Sequence, residues 1–163
     1  MTKPKPPSAL LRPLQRGDLA DIWHVRYAVR ENTLTPGRIG DAEVIERIEA
    51  TGRGWGVEVD GRIIGFAIAC TDSGGPNSGR IWALFVHPDH ADQGHGARLH
   101  DAMVDHLWAQ GLQRLWLNTM PGSRAETFYR LRGWLQSGRS ADGEIRFELP
   151  RPADFKPPTP STS

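Results

Sequence analysis

The stretch Val86-His87-Pro88-Asp89-His90-Ala91-Asp92-Gln93-Gly94-His95-Gly96-Ala97-Arg98-Leu99 decides how this chain is read. It starts where an apolar run, Ile81-Trp82-Ala83-Leu84-Phe85-Val86, ends, and it leads into a segment whose apolar residues Leu99, Met103 and Leu107 recur every fourth position. That pattern predicts a buried strand, a tight turn and an amphipathic helix. The first amides of such a helix have no intrahelical partner and carry the positive end of the helix dipole. Gly94 and Gly96 let an anion come close to those amides, so the turn suits a phosphate or diphosphate held by main-chain donors. The competing explanation is a plain strand-to-helix turn that needs its glycines only for their dihedrals. Two other phosphate motifs do not fit. A dinucleotide fingerprint requires glycine where Leu99 stands, and a P-loop requires Gly-Lys-Ser/Thr, whereas no lysine lies between Lys5 and Lys156.

Outward from this turn, strands and helices alternate. Ala9-Leu10-Leu11-Arg12-Pro13-Leu14 reads as a short first strand, and Asp18 as the N-cap of a helix bearing Leu19, Ile22, Trp23 and Tyr27 on its apolar side. A second short helix is expected over 41–50, with Val44, Ile45 and Ile48 inward. Trp55-Gly56-Val57-Glu58-Val59 alternates as a strand, and Asp60-Gly61 is a hairpin turn leading to a central strand over 63–70. The long helix runs over 95–110 and stops at Gly111. Leu115-Trp116-Leu117-Asn118 is a strand, 123–132 a helix, and 134–136 with 145–149 a closing pair. The expected order is βααβββαβαββ, a mixed α/β (α+β) architecture with a mostly antiparallel sheet flanked by helices.

Composition narrows the class. The 163 residues allow one domain, with Lys plus Arg 20, Asp plus Glu 19 and a net charge of +1, which argues against a nucleic-acid binder. One cysteine, Cys70, excludes a disulfide framework and a Cys-built metal or iron–sulfur site, and on a buried strand it reads as a small hydrophobe. No apolar run suffices to cross a bilayer, and the start has no apolar signal segment, so no membrane is expected and the expected location is the cytoplasm. Nine of the 13 prolines fall within 1–13 or 150–163, which predicts disordered or loosely attached tails at 1–8 and 151–163 around a working unit at 9–150.

At the glycine turn and at one later helix the chain resembles the GNAT (GCN5-related) N-acetyltransferase superfamily. That family's acyl-CoA motif, Q/R-x-x-G-x-G/A after a strand ending in Val-x-Pro, is matched by Ala91-Asp92-Gln93-Gly94-His95-Gly96 at both glycines, with Val86 and Pro88 upstream. Ala91 departs from it at the first position, which loses a side chain but no main-chain donor. Ala125-Glu126-Thr127-Phe128-Tyr129-Arg130-Leu131-Arg132-Gly133-Trp134 looks like the family's A-x-x-F/L-Y-x-x-x-G-F helix, with Trp134 in place of Phe and Gly122 where many members have Asn. The resemblance implies acetyl-CoA as cosubstrate, no metal, and direct transfer of an acetyl group to a primary amine of a small molecule or peptide by a monomer or homodimer. It implies cofactor contacts at Leu84, Phe85, Val86, Ala91, Asp92, Gln93, Gly94, His95, Gly96, Ala97, Asn118, Gly122, Ala125 and Tyr129. Pantetheine would pair with the strand edge where this strand and 115–118 splay apart. Tyr129 matches the position of the general acid; a core aromatic beside Phe128 is its plainer reading.

The general base is open. Histone-acetylating members carry a glutamate six residues before the equivalent of Val86, and here that position is Arg80. The candidates are Glu31, at the exit of the first helix, and His87, at the strand's end. A solvated charge and a turn residue are their respective plain readings. Five of the six histidines fall within 87–106, and His87 and His90 with a carboxylate could build a metal site. Against it, His95 belongs to the glycine turn, and His100 and His106 lie about 600° apart around a helix axis and face different ways. A non-catalytic acyl-CoA-binding domain, and a phosphate-ligand binding protein of similar architecture, are the alternatives from other classes.

Overall fold

The computed structural model describes residues 9–29, 39–71 and 75–155. Seven strands form one sheet in the order β1-β2-β3-β4-β5-β7-β6. In chain order the elements are β1 (Leu10–Pro13), α1 (Leu19–Ala28), α2 (Asp41–Glu49), β2 (Gly52–Val59), β3 (Arg62–Thr71), β4 (Ser78–Val86), α3 (His95–Ala109), β5 (Arg114–Thr119), α4 (Arg124–Leu131), β6 (Leu135–Arg139) and β7 (Ile145–Pro150). This is the order expected from the sequence. All neighbours are antiparallel except β4 and β5, which run parallel.

The hairpin between β2 and β3 turns at Asp60 and Gly61, whose φ angles of 51° and 79° are both in the left-handed region. β3 is buried along nearly its whole length because both faces of the sheet are covered there. On one face α3 packs Leu99, Met103, Leu107 and Trp108 against Ala67, Leu115, Leu117 and Phe147. On the other, Ile22 and Val25 of α1 and Val44 and Ile48 of α2 cover Phe66 and Ile68. Each such aliphatic or aromatic side chain contributes roughly 1.5–3 kcal/mol on burial.

One feature of the sheet positions the site. β4 and β5 pair only at Ser78↔Arg114, Gly79↔Leu115 and Arg80↔Trp116. Close approach there requires Gly79, where a Cβ would come within 2.9 Å of Leu112 and 3.2 Å of Leu115. Beyond that point Ile68 pairs with Ala83 and Ala69 with Ile81, which makes Trp82 an extra, bulged residue. A bulge bends its strand, and past Trp82 the two strands part.

Several local expectations are corrected. Asp18 makes no side-chain cap bond to α1. Its carboxylate instead accepts from Arg12 at 2.8 and 2.9 Å and from the Gln15 amide at 2.8 Å. Tyr27 is 50% exposed and stacks on Trp23, because Val25 takes the inward place. The fully buried tryptophans are Trp108 and Trp134, while Trp23 and Trp82 are half-buried. Of the loose tail expected over 151–163, the described residues 151–155 are attached: Arg151 donates to the carbonyls of Trp108 and Leu112, and Phe155 packs on the core.

Candidate active site

The split between β4 and β5 is a cleft lined by Ile81, Leu84, Asn118, Thr119, Ala125 and Tyr129, among others. Its polar edge follows from strand alternation. The His87 amide donates to the Ile64 carbonyl on β3 at 2.8 Å, and successive residues point their amides to opposite sides of a strand. The amides of Leu84 and Val86 therefore face the split, where β5 has already withdrawn. Phe85 also lines the cleft, but its amide turns toward β3 and its ring faces α1, with the Arg26 guanidinium 4.3 Å from the ring centre. On the opposite wall, Asn118 holds a buried Oδ1 without a hydrogen-bond partner. A buried carbonyl oxygen in that state is unfavourable by about 1–3 kcal/mol, and a ligand donor in the cleft removes the cost.

The turn after β4 is built in two steps. His87 caps a short 3-10 turn, its Nδ1 accepting from the Asp89 amide at 3.1 Å, and the Ala91 amide donates to the Pro88 carbonyl at 3.2 Å. Ala91 thus has no amide left for a ligand. The chain then passes through two left-handed residues, Asp92 at φ 61° and Gly94 at φ 84°. The first carbonyl of α3 is that of Gly94, accepting from Arg98 at 3.1 Å. No hydrogen-bond acceptor for the amides of Gln93, Gly94, His95, Gly96 and Ala97 is found among the described residues, and this turn is at the surface or half-buried.

The two glycines differ in what they need. Gly94 requires its positive φ. Gly96 lies within the helix, and a Cβ there would sit 3.7 Å from Phe128 and 3.8 Å from Val86, ordinary contact distances. The protein's own packing makes no demand for glycine at 96, so dihedral need explains only one of the pair. Beside them, the carboxylate of Asp92 pairs with Arg124 at 3.2 Å, and His95 Nε2 meets Gln93 Oε1 at 3.1 Å. Burial, with the nearby positive charges of His90 and Arg98, holds the His95 imidazole below its ordinary pKa.

α4 starts on Ser123, which accepts from the Glu126 amide at 3.2 Å, while Glu126 accepts from the Gly122 amide at 3.0 Å. Gly122 therefore has no free donor for a cofactor. Ala125, one turn before Tyr129, lines the split with only a methyl group. Tyr129 is 6% exposed, and its ring packs edge-on against Phe128 and Trp134 at 5.2 and 5.5 Å. Its hydroxyl bonds no other described residue, and burial pushes the phenol above its ordinary pKa.

The two candidate bases stand differently. Glu31 lies outside the described residues. In His87, Nδ1 already accepts the Asp89 amide, so the ring proton of the neutral form is on Nε2 and the free nitrogen is a donor. That arrangement weighs against His87 as a base, although its ring stacks on His24 at 5.1 Å. Arg26, Arg47 and Arg80 each hold a buried guanidinium nitrogen without an acceptor, and of the three only position 80 stands out in the sequence analysis, for the glutamate it replaces. For Arg26 a signal existed, since no acidic residue stands three or four positions away on α1. Among the described residues no three His, Cys, Asp or Glu side chains gather as metal ligands do, and no helix is long and apolar enough to cross a membrane.

Comparison with known proteins agrees with this fold. Among curated proteins, the chain is similar to the L-2,4-diaminobutyric acid acetyltransferase of Nocardia farcinica (strain IFM 10152), 27% identical over 118 residues that make up 72% of this chain and 60% of that protein. The chain thus spans 60% of the length of this curated relative. In fold it is similar to the ribosomal-protein-S18-alanine N-acetyltransferase of Escherichia coli, with a TM-score of 0.72 at 18% identity over 91% of this chain and 99% of that one. It is equally similar to the PaiA N-acetyltransferase of Thermoplasma acidophilum in complex with coenzyme A, with a TM-score of 0.73 at 16% identity over 88% and 99% of the two chains. The family model described as Acetyltransferase (GNAT) family matches residues 18–134, well over half of the chain. On that match, the protein belongs to the GNAT acetyltransferase family.

Proposed function

We propose that this protein transfers the acetyl group of acetyl-CoA directly to a primary amine of a small molecule or peptide. The observation that carries the reading is the row of unpartnered amides at 93–97, which continues from a strand whose Leu84 and Val86 amides face the split. The residues present fit acetyl-CoA. The open amides and the helix dipole suit its diphosphate, Gly96 allows close approach, and the Asn118 Oδ1 lacks a donor that pantetheine amides can supply.

Acetyl-CoA supplies a thioester whose carbonyl carbon forms a bond to the amine nitrogen while its carbon–sulfur bond breaks. The Leu84 or Val86 amide is placed to hold the developing oxyanion, a contribution of about 2.7–4 kcal/mol per donor in other acyl-transfer enzymes. Tyr129, kept neutral by burial, donates a hydrogen bond to the departing sulfur and delivers its proton as negative charge builds there. Glu31 is the proposed base for the ammonium proton. Its support is that α1 ends beside Arg26, which lies over Phe85 at the rim of the split. A small amine acceptor is further supported by the relative from N. farcinica, whose name gives it a diamino acid. Cytoplasmic location and a monomeric or homodimeric state belong to the same proposal.

The test is a screen of primary amines with detection of released thiol, run on wild type and Tyr129→Phe beside calorimetric titration of acetyl-CoA. Wild type is expected to bind acetyl-CoA and release thiol with at least one amine. Y129F should bind equally and lose roughly 10²-fold in kcat. Binding without turnover on a broad panel points to a non-catalytic acyl-CoA-binding domain, and no binding overturns the reading.

A further inference from the structure

On the sheet face that α1 and α2 cover farther along, β4, β5 and β7 carry a layer of arginine and tryptophan. Arg80 is the last β4 residue paired with β5, opposite Trp116, so it stands at the apex of the split. Its guanidinium lies 4.9 Å from the centre of the Trp116 ring, and that of Arg146 from β7 lies 4.3 Å from the same ring. From α2, Arg47 reaches to 5.5 Å from the ring of the bulged Trp82. Its Nη1 donates to Sγ of Cys70 at 3.5 Å, and Cys70 pairs with Arg80 across β3 and β4. Three cations therefore gather around two indoles next to the closed end of the split, of which Trp82 also lines the cleft.

Their charges are not fully balanced. Arg47 has Glu43 at 3.7 Å and Arg146 has Glu148 at 3.4 Å. Arg80 contacts no carboxylate among the described residues, so among them these three cations meet two carboxylates and one positive charge is in excess. Arg80 Nε and Arg47 Nε are both buried and without an acceptor. Buried N–H groups without acceptors are uncommon and unfavourable, so two in one patch mark a place for an incoming oxyanion. At Arg80 the glutamate of histone-acetylating enzymes is replaced by its opposite charge, which changes what the acceptor must bring.

We propose that this patch, centred on Arg80 and Arg47, is an anion subsite that holds the carboxylate of an amino-acid-like acceptor while its amine reaches β4. A carboxylate matches the planar edge of a guanidinium with two parallel hydrogen bonds. An excess of one positive charge suits a monoanion better than a phosphate, and the half-buried indole of Trp82, which lines the cleft, suits the methylene chain between carboxylate and amine. The assignment of this ligand as an acceptor rests on the acetyl-transfer reading.

The test uses the whole chain and amines that differ only by a carboxylate: lysine against cadaverine and ornithine against putrescine, with phosphoethanolamine against ethanolamine as a phosphate arm. In wild type the carboxylated member of at least one pair should have the higher kcat/KM by roughly tenfold or more. Arg80→Met keeps an apolar stem over Trp116. It should raise KM for that member about tenfold and leave KM for acetyl-CoA and for the decarboxylated amine within about twofold. Arg80→Lys keeps the charge but not the forked edge, so it should give an intermediate KM and serves if R80M fails to fold. The proposal is overturned if both members of a pair shift together, if wild type prefers the decarboxylated amines, or if phosphoethanolamine is preferred to every carboxylate. If no amine releases thiol, the acetyl-transfer reading fails instead. The subsite is then judged by calorimetric binding of lysine and ornithine: loss in R80M upholds it, and equal binding or none overturns it.

Discussion

The indole N–H of Trp134 donates to Nε2 of His100 across 3.0 Å, inside the core and 34 residues away in sequence. The other ring nitrogen, Nδ1, meets Asp101 Oδ1 at 3.0 Å, so the neutral ring donates on one side and accepts on the other. This bond ties the turn after α4 to α3 and closes the aromatic shell around Tyr129, whose ring centre is 6.3 Å from His100 and 5.5 Å from Trp134.

His100 makes stability depend on pH. Burial first, against the opposing pull of Asp101, holds its pKa below the ordinary value. The unfolded chain therefore takes up a proton at about pH 6.5, before the folded one does. Stability is full above that pH and falls as pH drops through it. His95 and His106 are shifted in the same direction and add to the loss. Tm should decline between about pH 7.5 and 5.5, and His100→Gln should reduce the slope. An identical slope in H100Q would remove His100 from this account.

Asp18 governs the acid limb. Its two bonds to Arg12, first, and the Gln15 amide hold the carboxyl below the ordinary aspartate value of about 3.8. A folded pKa lowered in this way stabilises above the unfolded value and is lost as pH falls through about 3.8 and lower. Asp18→Asn should lower Tm at neutral pH and flatten the further fall below about pH 4. A variant that melts like wild type at pH 7 contradicts this.

Gly94→Ala and Gly96→Ala separate backbone need from ligand need. Forcing alanine into the left-handed conformation at 94 costs about 1 kcal/mol or more, so G94A should lower Tm by roughly 2–4 °C. G96A, whose added carbon meets only ordinary contacts, should keep Tm and weaken acetyl-CoA binding measured by calorimetry. Unchanged affinity in G96A refutes the close approach proposed there.

Asn118→Ala is expected to behave in the opposite sense to a core mutation. Removing a buried acceptor that has no partner should leave the ligand-free Tm unchanged or slightly higher. Affinity for acetyl-CoA should fall by roughly fivefold to tenfold, the worth of one hydrogen bond of about 1 kcal/mol. A large drop in ligand-free Tm would show that Asn118 stabilises the protein itself.

The order of elements, the Asp60-Gly61 hairpin and the Gly94 turn were legible in the amino-acid sequence because each depends on neighbours within one turn or one strand. Periodicity, a positive φ that favours glycine or aspartate, and an unpaired helix start are local physics. The likeness of two short motifs to a family rested on the same local spacing. Around the candidate site, however, local pattern could not tell which groups were already used: Ala91 and Gly122 have their amides occupied, and the Phe85 amide turns to β3.

The lone pair of His87, the orphan oxygen of Asn118 and the cations around Trp116 depend on which strands meet and where they part. Such facts arise between residues tens of positions apart, brought together by a close approach at Gly79 and a bulge at Trp82. The sequence by itself determined that a strand would run through a glycine turn into a helix start with unpaired amides. Only the tertiary structure decided which donors and acceptors stay open, because a hydrogen bond is counted as made or missing only after long-range packing has brought its partner within reach or kept it away.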